Sequence, residues 1–324
     1  MQYREFGPAG MKVSEIGFGT WGMGGSWWGG PIDKESKESL NLAIECGVNF
    51  FDTAYVYGDG HSEELIAQVV NERKVREKVF IATKVPPKNW QWPAEAGSDV
   101  NEIFPPDWIR RCTERSLKKL KTDYVDLQQL HVWASSWLGT GDWLNELQKL
   151  KKEGKVRWIG ISINDHQPDT ALDLVKSGLI DSVQVIYNIF DQSPEEKLLP
   201  LCREHRVGVI VRVPLDEGGL SGKLTPETKF AGDDWRGNYF RGDRLRETCD
   251  RIEKLKPFLG DEAKTVSDLA LKFCLSHPAV STVIPGMRRA EHLRSNVAAS
   301  NGKSLSAKLL QEIKKHAWQR NFYL

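Results

Sequence analysis

The chain lacks most of the features that assign a protein to a special class. No apolar run approaches the roughly 18 residues that read as a membrane span. No block of like charge suggests a binding tail, and 45 basic residues balance 44 acidic ones to a formal net charge of +1. That balance argues against a nucleic acid or an anionic membrane as the main partner. The five cysteines, Cys46, Cys112, Cys202, Cys249 and Cys274, are odd in number and widely separated. No pair has zinc-like or redox spacing, and each lies among apolar neighbours, so they read as buried free thiols. The opening Met1-Gln2-Tyr3-Arg4-Glu5 has no charged-then-apolar signal pattern, so a cytoplasmic protein is expected. No linker, composition shift or repeat divides the chain, so residues 1–324 are expected to form one domain. Nothing in it fixes an oligomeric state.

What is present is an alternation. Tyr3–Phe6 and Lys12–Glu15 flank the turn-rich Gly7-Pro8-Ala9-Gly10 and predict a hairpin. Eight short apolar runs follow, at residues 16–20, 49–52, 78–84, 124–131, 156–162, 182–187, 207–212 and 280–284. Helical patterns separate them, at about 33–46, 62–74, 107–120, 142–153, 168–177, 194–205, 244–259 and 265–276, with two more after the last run. Gly- and Trp-bearing or Pro-rich loops run from Trp21 to Pro31, over 85–106 and over 213–243. Eight buried-type strands alternating with helices predict an α/β protein, a (β/α)8 barrel with a short N-terminal hairpin and long loops at its C-terminal face. An open doubly wound sheet is the competing arrangement.

In such a barrel the strand ends converge on one face. Three successive runs end in Asp52, Lys84 and His131, and Tyr57 lies in the loop just after Asp52. A strand-end Asp is usually a turn residue, a Lys there is usually solvated, and a His is usually structural. Together they make one machine. A phenol titrates near 10 and is a weak acid at neutral pH. A nearby cation favours its ionised form, so Lys84, held by Asp52, is expected to lower the Tyr57 pKa and make Tyr57 a general acid. His131 can donate a hydrogen bond to the same substrate oxygen. This equipment protonates a carbonyl oxygen as it becomes an alkoxide, and the reducing equivalents must come from a cofactor.

Two phosphate-binding look-alikes fail. Gly17-Phe18-Gly19-Thr20-Trp21-Gly22 has dinucleotide-fingerprint spacing but runs into Gly24, Gly25, Trp27 and Trp28 instead of a helix. Gly222-Lys223 suggests a phosphate loop, but Glu217 and Leu224 stand where Gly and Ser or Thr are required.

Along nearly its whole length the chain resembles an aldo-keto reductase. The match is carried by Gly17-Phe18-Gly19-Thr20-Trp21, Asp52-Thr53-Ala54 with Tyr57-Gly58, Thr83-Lys84, Ser116-Leu117 with Asp123-Tyr124-Val125-Asp126, and Leu130-His131. It continues through Gly160-Ile161-Ser162, Gln184 with Tyr187-Asn188, Pro214-Leu215, Ser221-Gly222-Lys223, and Ile284-Pro285-Gly286 with Asn296. The resemblance implies a TIM barrel that reduces aldehydes or ketones with NADP(H), NAD(H) being the lesser alternative, and without a metal. It implies Tyr57 as proton donor, Asp52 and Lys84 as its tuning pair and His131 as substrate-orienting group, and it selects Tyr57 over Tyr55, which reads as packing.

For the cofactor, the resemblance implies Ser162, Asn164 and Gln184 on the nicotinamide carboxamide, with Gly19, Thr20, Trp21 and Asp52 nearby. Arg212 stands where many relatives stack an aromatic ring. Pro214, Leu215, Ser221, Gly222 and Lys223 would clasp the pyrophosphate. Gly286 and Arg288, ahead of a helix, suit a 2′-phosphate, and Asn296 matches an adenine contact. On the substrate side, the loop residues Trp21, Trp27, Trp28, Trp90, Trp92, Trp133 and Trp137 are expected to ring the mouth, with Trp21, Trp28, Trp90, Trp133, Tyr57 and His131 lining the pocket. The expected partner is a small carbonyl compound, bulky, aromatic or sugar-like. A sensory barrel that binds the cofactor with little turnover is the second reading. A glycosidase is a third, but it needs two acids at the strand ends, and only Asp52 has a clear position there.

Overall fold

The structure is a computed structural model and describes residues 1–30 and 32–324; Pro31, at the end of the first Trp-bearing loop, lies outside them. The described residues form ten strands: β1 Tyr3–Phe6, β2 Met11–Ser14, β3 Phe18–Gly19, β4 Phe50–Asp52, β5 Phe80–Val85, β6 Val125–Leu130, β7 Val156–Ser162, β8 Ser182–Ile186, β9 Gly208–Arg212 and β10 Thr282–Val283. β1 and β2 pair antiparallel as the N-terminal hairpin. The other eight pair in parallel in sequence order from β3 to β10. Parallel bridges at Ile16–Val283 and Gly19–Gly286 join the first of these strands to the last. The sheet is thus the expected barrel and not an open doubly wound sheet.

The helices are α1 Asp33–Glu45, α2 His61–Glu72, α3 Val100–Ile103, α4 Pro106–Leu120, α5 Trp143–Lys152, α6 Leu172–Ser177, α7 Leu198–Glu204, α8 Arg236–Tyr239, α9 Arg244–Leu255, α10 Val266–Ser276, α11 Ala290–Ala298 and α12 Ala307–Lys314. Local chemistry marks their ends. Pro106 opens α4, where a missing N–H costs nothing. Thr265 caps α10 by accepting from the Asp268 N–H, and Ser306 does the same for α12 from Leu309. Two short helices, α3 and α8, lie in stretches expected to be loop. Among the described residues no helix is long and apolar enough to cross a membrane.

Strand alternation divides the core in two. Inward-facing Phe50, Phe80, Ala82, Leu127, Ile210 and Ile284 fill the barrel, joined by Phe6 and Val13 from the hairpin. Phe50 stacks on Phe80 at 4.9 Å and Phe80 on Trp158 at 5.5 Å. The hairpin closes the end where the strands begin: a side chain at Gly7, which has a left-handed φ of 59°, would strike the Asp181 carbonyl ahead of β8. The larger apolar cluster lies between the outer strand faces and the helices. The opposite end, where the strands finish, is left to polar side chains.

Candidate active site

Alternation along each strand sends Phe50 and Asp52 inward on β4, and Phe80, Ala82 and Lys84 inward on β5. In each case the apolar residues fill the barrel and the last inward residue is charged. Lys84 Nζ donates to Asp52 Oδ2 at 2.7 Å, to the Thr53 carbonyl at 2.8 Å and to Tyr57 Oη at 3.4 Å. The other Asp52 oxygen accepts from Gln184 Nε2 at 2.7 Å. Both charges are buried, and an ion pair in that setting persists only when its remaining hydrogen-bonding capacity is met, as here.

Tyr57 is held by its backbone. Its N–H donates to the Ala54 carbonyl in the turn between β4 and α2. Behind it the loop after β3 approaches so closely that a Cβ on Gly24 would lie 2.6 Å from the Tyr57 carbonyl carbon. Gly58, at φ 64°, would meet the Gly24 oxygen. These two positions accept only glycine. Thr20 adds a tie, donating to the Asp52 carbonyl at 2.8 Å.

The electrostatics correct one expectation. The Tyr57 phenol is not drawn down. Burial, followed by the Asp52 carboxylate, pushes it well above its ordinary value, with Arg212 pulling the other way. Burial lowers the Lys84 ammonium itself, with Asp52 opposing. Tyr57 therefore carries its proton at neutral pH. Burial, followed by the Lys84 and Arg212 cations, holds His131 well below the usual imidazole range, so it is neutral. Its ring lies 6.0 Å from the Tyr57 ring, edge to face, and its Nδ1 is buried without a partner.

Tyr55 faces the other way, its hydroxyl taken by Arg115 and its ring beside Trp108 at 6.2 Å.

The strand-end residues of the second half form the adjoining wall. Ser162, at the end of β7, pairs in register with Gln184 in the middle of β8, and both are buried. Arg212 ends β9, and its guanidinium donates to Asp165 at 2.7 Å and to the Ile163 carbonyl at 2.9 Å. Asn164 is engaged within the chain: both ends of its amide clasp the Ala94 backbone and it also donates to Gln167. It anchors the 85–106 loop. Arg288 is engaged as well. It donates to the carbonyls of Gly22, Trp28 and Gly30, so it pins the loop after β3. Arg289 beside it is exposed and pairs with Glu35.

Pro214, Leu215, Ser221 and Gly222 lie along one loop over this wall, and Lys223 reaches across to Glu291 on α11 at 2.9 Å. Gly19 fits beside the Ile284 and Pro285 carbonyls, where a Cβ would clash, and Gly286 is exposed after β10. Asn296 is buried with its Nδ2 unpartnered. That orphaned donor, the buried Ser162 and Gln184 and the loop above them fit a dinucleotide laid from Ser162 to α11. Among the described residues no group of three or more His, Cys, Asp or Glu is arranged to hold a metal.

The tryptophans sort differently from expectation. Trp21 stacks over Tyr57 at 6.4 Å and meets Trp28 at 5.2 Å. Trp133 does not line the site: it is fully buried, donates to the Thr170 carbonyl and packs against Trp137 and Trp143. The chain turns outward immediately after His131, into the space beside α5. Trp137 is likewise core. Trp92, not Trp90, lies edge-on to His131 at 5.9 Å, and Trp90 is 55% exposed behind it. Sequence reasoning missed Trp235, 5.2 Å from Trp21, and missed Glu217 and Tyr323 at the rim. All three come from a long loop or the chain end, where no periodicity marks them.

Comparison with known proteins agrees with this geometry. A model described as the Aldo/keto reductase family matches residues 15–317. The chain is 31% identical over 302 residues to aldo-keto reductase YhdN of Bacillus subtilis, covering 91% of this chain and 87% of that one. It is 30% identical over 308 residues to the NADH-specific methylglyoxal reductase of Escherichia coli, covering 91% and 92%. A solved aldo/keto reductase from Klebsiella pneumoniae, in complex with NADP and acetate, superposes with a TM-score of 0.68 at 26% identity, covering 98% of this chain and 96% of that one.

Proposed function

The chain belongs to the aldo/keto reductase family, oxidoreductases that reduce carbonyls with NAD(P)H, and on that premise we propose that Tyr57 is the proton donor of this enzyme. The observation that carries the proposal is the single ammonium of Lys84 within reach of both Asp52 and the Tyr57 hydroxyl. A bound reduced nicotinamide supplies the hydride. The rest is done by the chain. The carbonyl oxygen lies between Tyr57 Oη and the N–H of neutral His131, which fixes its lone pairs. As negative charge develops on that oxygen, the Tyr57 proton transfers to it, because an alkoxide is more basic than even a buried phenolate. The Lys84 ammonium, beside Oη, stabilises the phenolate left behind, and Asp52 with Gln184 keeps Lys84 aimed.

Ser162 and Gln184 would hold the nicotinamide carboxamide, the loop from Pro214 to Lys223 the pyrophosphate, and Asn296 the adenine. NADP(H) is the favoured form. Arg288 and Arg289, at the start of α11, would be the cations for a 2′-phosphate, Arg289 exchanging its Glu35 partner for it, with the free N–H groups of that helix beside them. The relatives' names differ on this point, one being NADH-specific, so titration of both nucleotides is part of the test. Trp21, Trp28, Trp92 and Trp235 give the mouth aromatic walls, which suit a flat, cyclic or aromatic carbonyl compound.

The decisive experiment follows nicotinamide absorbance with a panel of aldehydes and ketones for the native protein and Tyr57→Phe. Tyr57→Phe should lose about 10² to 10⁴ in kcat with nucleotide affinity within a few-fold of native. Unaltered turnover in Tyr57→Phe would sink the proton-donor assignment.

A further inference from the structure

Beyond α12 the chain runs back across the cofactor side of the barrel. The Trp318 N–H donates to the Phe190 carbonyl at 2.8 Å, in the loop after β8. Arg320 pairs with Asp216 and lies over the Trp318 ring at 4.2 Å. Arg244 on α9 holds the Phe322 carbonyl at 2.9 Å. Tyr323 then turns inward. Its hydroxyl donates to Glu217 Oε1 at 2.6 Å, and its ring stacks on Trp235 at 5.8 Å and packs against Tyr239 at 5.1 Å. Trp235 in turn meets Trp21, which stacks over Tyr57.

Asp216 and Glu217 belong to the loop over the proposed pyrophosphate site. That loop is unusual in its backbone: Val213, Asp216 and Glu217 have φ of 55°, 50° and 53°. Three side-chain-bearing residues in left-handed conformation within five positions is strained, and such strain persists only where surrounding contacts over-determine it. Asp216 and Glu217 are both buried, and their outside contacts come largely from the C-terminal segment, through Arg320 and Tyr323, with Tyr239 adding a donor to Asp216 at 2.9 Å.

We propose that the C-terminal segment from Trp318 to Tyr323 positions the cofactor loop, with Tyr323 and Arg320 latching Glu217 and Asp216, so that nucleotide leaves only when this latch opens. The inference rests on the reading that the nucleotide lies beneath this loop. Tyr323 and Glu217 are positioning residues; neither is asked to touch the reacting atoms.

The test uses the full chain, Tyr323→Phe, Glu217→Ala, their double variant and a chain ending at Asn321. NADPH release is followed by stopped-flow fluorescence after displacement with excess NADP, and backbone hydrogen exchange over residues 213–222 is measured without nucleotide. Tyr323→Phe should speed release roughly five- to tenfold, the scale of one buried hydrogen bond, and speed exchange in the loop, with substrate KM at saturating NADPH unchanged. Glu217→Ala should do the same, and the double variant should add little to either single change. Native release and exchange in both Tyr323→Phe and the shortened chain, with native melting, would overturn the latch. So would a change in substrate KM alone, which would assign the segment to the substrate side. A native protein that binds neither NADPH nor NADH would instead overturn the parent reading.

Discussion

The floor and the rim of the site handle buried charge in opposite ways. On the floor, Asp52, Lys84 and Gln184 come from strands whose parallel registers fix their separation. Lys84 has three oxygen partners, and both Asp52 oxygens are used. At the rim, Arg212, Asp165, Asp216, Glu217, Arg320 and Tyr323 come from a strand end, two loops and the chain end. Their network is incomplete: Arg212 Nε, Arg320 Nε and Asp216 Oδ2 are buried without partners. It also rests on left-handed backbone at Asp216 and Glu217. A satisfied network on strands holds one geometry, whereas an unsatisfied, strained one on loops has something to gain from rearranging. Proton transfer to a carbonyl needs the first, and admitting and releasing a large cofactor needs the second.

The sharpest way to break this contrast is at the floor. Lys84→Met leaves Asp52 buried and uncompensated and should cost about 3–5 kcal/mol of stability. Adding Asp52→Asn should restore most of that loss. Activity should not follow, with kcat/KM of the double variant staying about 10² to 10⁴ below native. Denaturant melts and turnover on the same samples separate the two effects. If activity recovered along with stability, the pair would be structural and the phenol would work without it.

The barrel and the floor were legible in the sequence because a single rule produces both. A parallel strand buried on each side is a short apolar run, and its last inward residue is where polarity can begin, as Asp52 and Lys84 show. The walls were less legible. Trp133 follows His131 by two residues and looked like part of the mouth, but the direction in which the chain leaves the strand decides its side, and that depends on packing against Trp143 of α5. Trp133→Ala should cost about 3–5 kcal/mol of stability and leave relative kcat/KM across aldehydes of different size unchanged. Trp92→Ala should do the reverse, shifting preference among bulky substrates with little change in melting. Exchange of these two outcomes would return Trp133 to the pocket. Nor were the internal partners of Asn164 and Arg288 readable: each meets backbone carbonyl or amide groups of a neighbouring loop, which no spacing reveals.

The rim makes the last and smallest prediction. Burial, opposed by the Tyr323 hydrogen bond, raises the Glu217 carboxyl to about 7. Around it stand Tyr323, Asp216, Arg212 and Asp165. In the unfolded chain a glutamate titrates near 4.3, so the folded state holds the proton more tightly. Below that pH both states are protonated and Glu217 costs nothing. As pH rises from about 4.3 to 7 the unfolded chain releases its proton first, and stability falls; above 7 the penalty is constant, at about 4 kcal/mol from the size of the shift. Glu217→Gln keeps the acceptor for Tyr323 and removes the charge. It should match the native protein near pH 4.5, exceed it increasingly up to about pH 7 and hold a constant advantage above that, in chemical denaturation at each pH. The floor offers the control, since the stability change from Lys84→Met with Asp52→Asn should not share that midpoint. A difference between Glu217→Gln and native that stays flat from pH 5 to 8 would mean that Glu217 is already ionised in the fold, and the rim would then be as settled electrostatically as the floor.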